Sequence, residues 1–257
     1  MTQILIVQGN TPDMVARGQC AATPFVATLN GLAPDVQTRI AAPYEGAIPA
    51  QDLDGVDGVI FTGAGVAWCV DAPEGDAQVR AMETVFHAGL PTWGSCNGMQ
   101  LAAHVLGGKC GASPKGFEVG VAQDLTLTDA GTRHAMCAGR SDGWAVPCIH
   151  RDEVQALPKG AELLVTNAHS PNQGFAYARN GVDFWGVQYH PELTVGRIAD
   201  YMRGGGGLFG SRAHMIPDLD AAMTDADAAA RIGTTPAALK PEVRAMELLN
   251  WVAHVRG

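Results

Sequence analysis

The sequence holds no run of basic residues, and no apolar stretch in it approaches the length of a membrane-spanning helix. Its 17 Lys and Arg stand against 26 Asp and Glu, a formal net charge of −9. Phosphate contacts need clustered cations, so this balance excludes a nucleic acid or an anionic membrane as the expected partner. The opening stretch MTQILIVQGN is apolar only from Ile4 to Val7, with no basic residue before Arg17. That is too short and wrongly flanked for a secretory signal. The 6 cysteines (Cys20, Cys69, Cys96, Cys110, Cys137 and Cys148) form no CxxC pair. A reduced, cytoplasmic protein is expected, with most thiols acting as small buried hydrophobes. No His, Cys or carboxylate cluster has metal-ligand spacing, so neither metal nor cofactor is expected. Internal repeats and low-complexity segments are also missing.

What the chain does have is enough apolar material to bury a sizeable core: 257 residues, 47% hydrophobic and 17% charged. Short apolar runs alternate with helix-compatible stretches. Ile4 to Gly9, Gly58 to Gly63 and Pro91 to Ser95 read as strands closing in Gly or Ser turns, with a crossover helix over Gly75 to Ala88. From Leu125 onward shorter runs follow: LTLT, ELLVTN and FWGVQYHP. The pattern predicts an α/β fold. Its central sheet is mostly parallel with helices on both faces, a smaller portion is antiparallel, and a helical extension ends the chain. Leu248, Trp251, Val252 and Val255 fall on one face of that last helix. The expected division is residues 1–200 as the α/β domain and 201–257 as a Gly-rich joint plus helical extension. The joint, GGGG at Gly204 to Gly207, is followed by Leu208 and Phe209 rather than the Lys-Ser or Lys-Thr a phosphate-binding loop requires.

The most informative stretch is PTWGSCNGMQLAAHVLGG, Pro91 to Gly108. A strand ends at Gly94, Cys96 sits in the turn, Gly98 follows, and a helix-favouring run leads to a Gly-Gly stop. This is a G-x-nucleophile-x-G elbow with cysteine at its centre. So tight a turn forces strained backbone angles on the central residue and leaves no room for side chains two positions either way. It also aims a helix N-terminus at the sulfur, which favours thiolate, and frees the Asn97 N–H for an oxyanion. On its own, the motif fits an inert buried cysteine equally well.

A base comes from GVQYHPE, Gly186 to Glu192. Residues i and i+2 of an extended chain share a face, so Glu192 can orient the imidazole of His190. A cysteine, a histidine and an orienting carboxylate suffice for covalent acyl transfer. A second oxyanion donor is sought after a neighbouring strand, in FTGAG, Phe61 to Gly65, through the N–H of Ala64 or Gly65. Trp68 stands where a dinucleotide fingerprint would need its third glycine.

GSCNGMQ and YHPE, in this order, resemble the motifs of the class I glutamine amidotransferase family, over roughly residues 4 to 200. KGFEVG (Lys115 to Gly120) and CIHRDEV (Cys148 to Val154) are similar to the amidotransferase half of GMP synthase. Ala64 falls where that branch has a glycine, and Asn97 replaces the histidine that follows the cysteine of the intracellular-protease-like branch. The resemblance implies Cys96 as nucleophile, His190 as general base and acid, and Glu192 as orienter. It further implies that Gln100 contacts the substrate glutamine and that the segment around His150 lines the pocket. Three functions remain open. One is a glutaminase component passing ammonia to a separate synthetase or acceptor subunit. Another is a stand-alone hydrolase of γ-glutamyl amides or peptides, and the third is a non-catalytic binding or regulatory subunit.

Overall fold

The structure, a computed structural model, describes residues 1–257. Its first half runs β1 (Thr2–Val7), α1 (Pro12–Ala16), α2 (Thr23–Leu32), β2 (Val36–Ala41), β3 (Gly58–Phe61), α3 (Asp76–His87), β4 (Thr92–Ser95), α4 (Asn97–Val105) and β5 (Lys109–Ala112). Six strands follow: β6 (Glu118–Leu127), β7 (Trp144–His150), β8 (Asp152–Ala156), β9 (Glu162–Thr166), β10 (Gly174–Arg179) and β11 (Val182–Val187). Helices close the chain: α5 (Val195–Gly204), α6 (Ile216–Ala221), α7 (Ala226–Arg231), α8 (Pro241–Arg244) and α9 (Met246–Arg256).

Nine strands join in the order β2-β1-β3-β4-β11-β10-β9-β6-β7, and β5 pairs with β8 in a separate ribbon. Strands β2, β1, β3, β4 and β11 run parallel to one another, and the pairings from β11 through β10, β9, β6 and β7 are antiparallel. Successive residues of β1 point into different cores: Ile4 and Ile6 into one with Phe25, Trp93 and Trp251, Leu5 and Val7 into the other with Met82, Met99 and Phe184. Both sheet faces are therefore covered, as the unbroken apolar run of β1 requires. The edge strand β2 is half polar and largely exposed, which is why its sequence carries no strand signal.

Helix α5 continues past residue 200 to Gly204. Beyond it, α9 sets Trp251 against Trp93, ring centroids 6.3 Å apart, with Leu248, Trp251 and Val252 fully buried. Helices α6 and α7 and the turn after α6 pack Leu219, Ala229 and Ala222 into one cluster with α5 and with Val119 and Val121 of β6. No helix is long and apolar enough to cross a membrane.

Candidate active site

Strand β4 ends at Ser95, and Cys96 takes φ 50°, ψ −107° before α4 begins at Asn97. L-residues rarely occupy that region, so the turn stores strain at the sulfur-bearing residue. The flanking glycines are sterically required. A Cβ on Gly94 would lie 2.6 Å from the carbonyl carbon of Gly98, and one on Gly98 would run into the backbone oxygen of Phe61. The Cys96 N–H donates to the carbonyl of Val187 at 2.8 Å, tying the elbow to β11. That bond and the parallel register Gly186–Gly94 and Val187–Ser95 bring the continuation of β11 beside the sulfur.

The continuation is Gln188 to Leu193. The His190 N–H donates to the carbonyl of Pro147 at 2.8 Å, and its Nδ1 lies 2.6 Å from Glu192 Oε1. The Cys96 thiol lies 3.8 Å from the carbonyl of Ile149 and acts electrostatically on the imidazole. Glu192 receives a second bond at Oε2 from the Ser95 hydroxyl at 3.3 Å, and that hydroxyl accepts from Trp93 Nε1 at 2.9 Å. Burial disfavours the imidazolium of His190, but the Glu192 carboxylate and the Cys96 sulfur outweigh it and hold the pKa well above the ordinary histidine value. Gly63 packs beneath the ring, where a Cβ would stand 2.6 Å from its Cε1. Of the other cysteines, Cys110 and Cys137 are buried free thiols whose desolvation pushes their pKa up to about 12.

Cys96, His190, Ala64, Gly65, Asn97, Gln100 and His150 all line one cavity of about 540 Å³. Two of them are less available than the sequence suggests. Gly65 donates its N–H to Asn10 Oδ1 at 2.7 Å, so of the paired candidates only Ala64 has an N–H without a protein acceptor, matching that of Asn97. His150 is buried with both nitrogens engaged, Nδ1 to the carbonyl of Asp152 at 3.0 Å and Nε2 to Glu118 Oε2 at 2.8 Å. It forms part of the wall rather than a free polar contact. Gln100 commits Nε2 to the carbonyl of Asp152 at 2.7 Å and to Gln188 Oε1 at 3.2 Å, leaving its Oε1 without a donor.

Three ligand-type side chains far apart in sequence, Glu118, His150 and His169, meet with their donor atoms within 4.8 Å of one another. Glu118 is engaged by His150, Asn167 and Gln173, the latter two at 2.7 Å, while His169 stands 3.9 Å from it with its Nε2 unpartnered. The sequence also gave no sign of Arg244. It is buried, donates Nε to the carbonyl of Leu193 at 2.8 Å, and is close enough to Glu192 to feel its charge. Nor did it show Glu247, fully buried on α9, which accepts from Arg140 and from the Tyr189 hydroxyl at 2.7 Å. Contacts of this kind leave no local pattern to read.

The structure is thus an α/β protein whose mixed sheet carries a cysteine elbow at the carboxyl end of its central parallel strand β4. The model of the class-I glutamine amidotransferases matches residues 39–203, and the chain belongs to that family. A γ-glutamyl-L-1-hydroxyisopropylamide hydrolase from Pseudomonas sp. is 32% identical over 210 residues, 78% of this chain and 71% of that protein. The GMP synthase of Thiobacillus denitrificans is 37% identical over 131 residues, 46% of this chain but only 23% of the synthase. The glutamine amidotransferase structure from Thermotoga maritima superposes with a TM-score of 0.67 at 16% identity, covering 99% of this chain and 97% of that one.

Proposed function

We propose that the chain is a cysteine-dependent amidohydrolase that cleaves γ-glutamyl amides through a γ-glutamyl thioester on Cys96. The observation that carries this reading is the grouping of Cys96, His190 and Glu192 on one cavity, with the carboxylate bonded to the imidazole at 2.6 Å and the thiol acting on the same ring. The raised pKa of His190 supports an imidazole that holds a proton to give to the leaving nitrogen. In the proposed reaction the thiolate attacks the γ-carbonyl carbon, and the oxyanion lies between the N–H groups of Ala64 and Asn97. Each such donor contributes about 3 kcal/mol. His190 gives its proton to the departing nitrogen, the C–N bond breaks, and ammonia or an amine leaves the thioester behind. Water then gives a proton to His190 and attacks the thioester. The C–S bond breaks, glutamate is released and the free Cys96 sulfur and protonated His190 are restored.

The stand-alone hydrolase is the version best supported. The cavity, about 540 Å³, falls within the roughly 300–1,000 Å³ of small-molecule sites and has room for a substituted amide. The hydrolase relative also matches along most of both chains. A second version, a glutaminase component serving a separate acceptor subunit, draws support from the likeness to the amidotransferase part of GMP synthases. Glutamate release from glutamine and from γ-glutamyl alkylamides, measured on the purified protein, separates them. Turnover of the alkylamides is expected. Strong glutaminase activity with negligible alkylamide turnover favours the second version, and turnover of neither by folded protein overturns both.

A further inference from the structure

The cavity has a wall that the chemistry above leaves unused. His190 hands its proton to the departing nitrogen, so the amine part of the substrate lies on the imidazole side of the sulfur. The chain leaving His190 lines the same cavity. Leu193 follows the carboxylate, α5 begins two residues later, and its last turn brings Tyr201 to the cavity together with Leu208 and Phe209 beyond it.

The glycine run after Tyr201 makes this possible. Gly206 and Gly207 have φ of 57° and 91°, which turn the chain back over the end of α5. A Cβ on Gly205 would stand 2.8 Å from the Phe209 ring, so that glycine lets the ring fold inward. Phe209 then meets Phe117 edge to face, ring centroids 5.1 Å apart. Leu208 is left at the cavity mouth with 61% of its surface exposed, although it is a large apolar side chain lining a binding cavity. Exposed apolar surface in such a place marks where a ligand group is covered on binding.

The charges on this wall narrow the ligand further. Asp200, its one carboxylate, is paired with Arg203 at 3.1 Å and Arg197 at 3.9 Å. Neither arginine lines the cavity, and the arginine that does, Arg151, holds both oxygens of Asp152 at 2.7 Å. The carboxylate of a γ-glutamyl peptide would find no free cation there. An uncharged alkyl group would find Leu193, Leu208 and Phe209.

From this placement we infer that Leu193 to Phe209 form an amine-side subsite for a small uncharged alkyl substituent, making N-alkyl γ-glutamyl amides the substrate class. The inference rests on the proposed acyl chemistry at Cys96 and is tested so that the two fail separately. Glutamate release is measured for glutamine, γ-glutamyl-isopropylamide and γ-glutamylglycine, with the wild type, Leu208→Asp and Leu208→Met. The wild type should prefer the isopropylamide over both others by about 10- to 100-fold in kcat/KM, the range a few buried methyl groups supply. Leu208→Asp should collapse the isopropylamide-to-glutamine ratio about tenfold, and Leu208→Met should keep it. Equal ratios in wild type and Leu208→Asp, or a preference for γ-glutamylglycine, overturn the subsite and leave the hydrolase standing. No glutamate from any of the three, by protein that folds normally, removes the acyl chemistry itself.

Discussion

Two buried histidines in this molecule each touch a glutamate, and their surroundings give them opposite characters. His190 meets Glu192 at 2.6 Å and His150 meets Glu118 at 2.8 Å. The difference lies at the other ring nitrogen. That of His150 faces the backbone carbonyl of Asp152, so both ring nitrogens are engaged by protein groups within the wall. That of His190 has no protein acceptor, and the ring lines a cavity together with Cys96, whose sulfur acts on it electrostatically. A histidine–carboxylate contact is thus no sign of chemistry by itself. What the second nitrogen meets decides between a brace and a base.

The largest expected effect that sharpens this contrast is Cys96→Ala. Glutamate release should fall by at least about 10⁴-fold, with the thermal midpoint unchanged, because alanine fits the elbow that cysteine occupies. Residual turnover above a hundredth of wild type would break the distinction between the two clusters. Next comes Glu192→Gln, expected to lower kcat about 10²- to 10⁴-fold. Removing the negative charge also takes away the main support of the His190 imidazolium. The alkaline limb of the pH–rate profile should therefore move to lower pH than in the wild type, and an unmoved limb contradicts the ion-pair account.

Glu118→Gln should behave differently: a stability loss of about 3 kcal/mol in denaturant titration, with activity per folded molecule within about tenfold of wild type. Burial raises the pKa of Glu118, but the bonds from His150, Asn167 and Gln173 outweigh it and leave the carboxyl below its ordinary value. A depressed pKa gives stability that is present above the unfolded value, near ~4.3, and lost as pH falls through the folded one. The acid limb of the stability curve should accordingly flatten in Glu118→Gln. A variant as stable as wild type but inactive would give the two histidines the same role. The smallest effect is that of Tyr189→Phe, which removes one hydroxyl from Glu247 while Arg140 still pairs with it. About 1–2 kcal/mol of stability should go, and kcat should change little.

Much of the site is legible in the sequence because its determinants are local. The elbow is a steric statement about Gly94 and Gly98, and HPE is a statement about two residues on one strand face. The parallel strands show as apolar runs because both their faces are buried. Less visible is β6, of which the sequence reveals only the LTLT end. The strand is broken by a shift in register after Ala122, with positive φ at Gly120 and Asp124. The functional consequence of glycine positions 204–207 is equally hidden, since it depends on where α5 ends in space. Whether a candidate N–H or imidazole is free also needs three dimensions. Gly65 is spent on Asn10 and His150 on Glu118 and Asp152, each by a contact across the fold.

The most direct measurement is mass spectrometry of protein quenched in acid during turnover of a γ-glutamyl amide. The expected result is one γ-glutamyl group, labile to hydroxylamine, on the peptide carrying Cys96 and on no other cysteine. An adduct on a different residue, or glutamate release that continues in Cys96→Ala, would contradict the account.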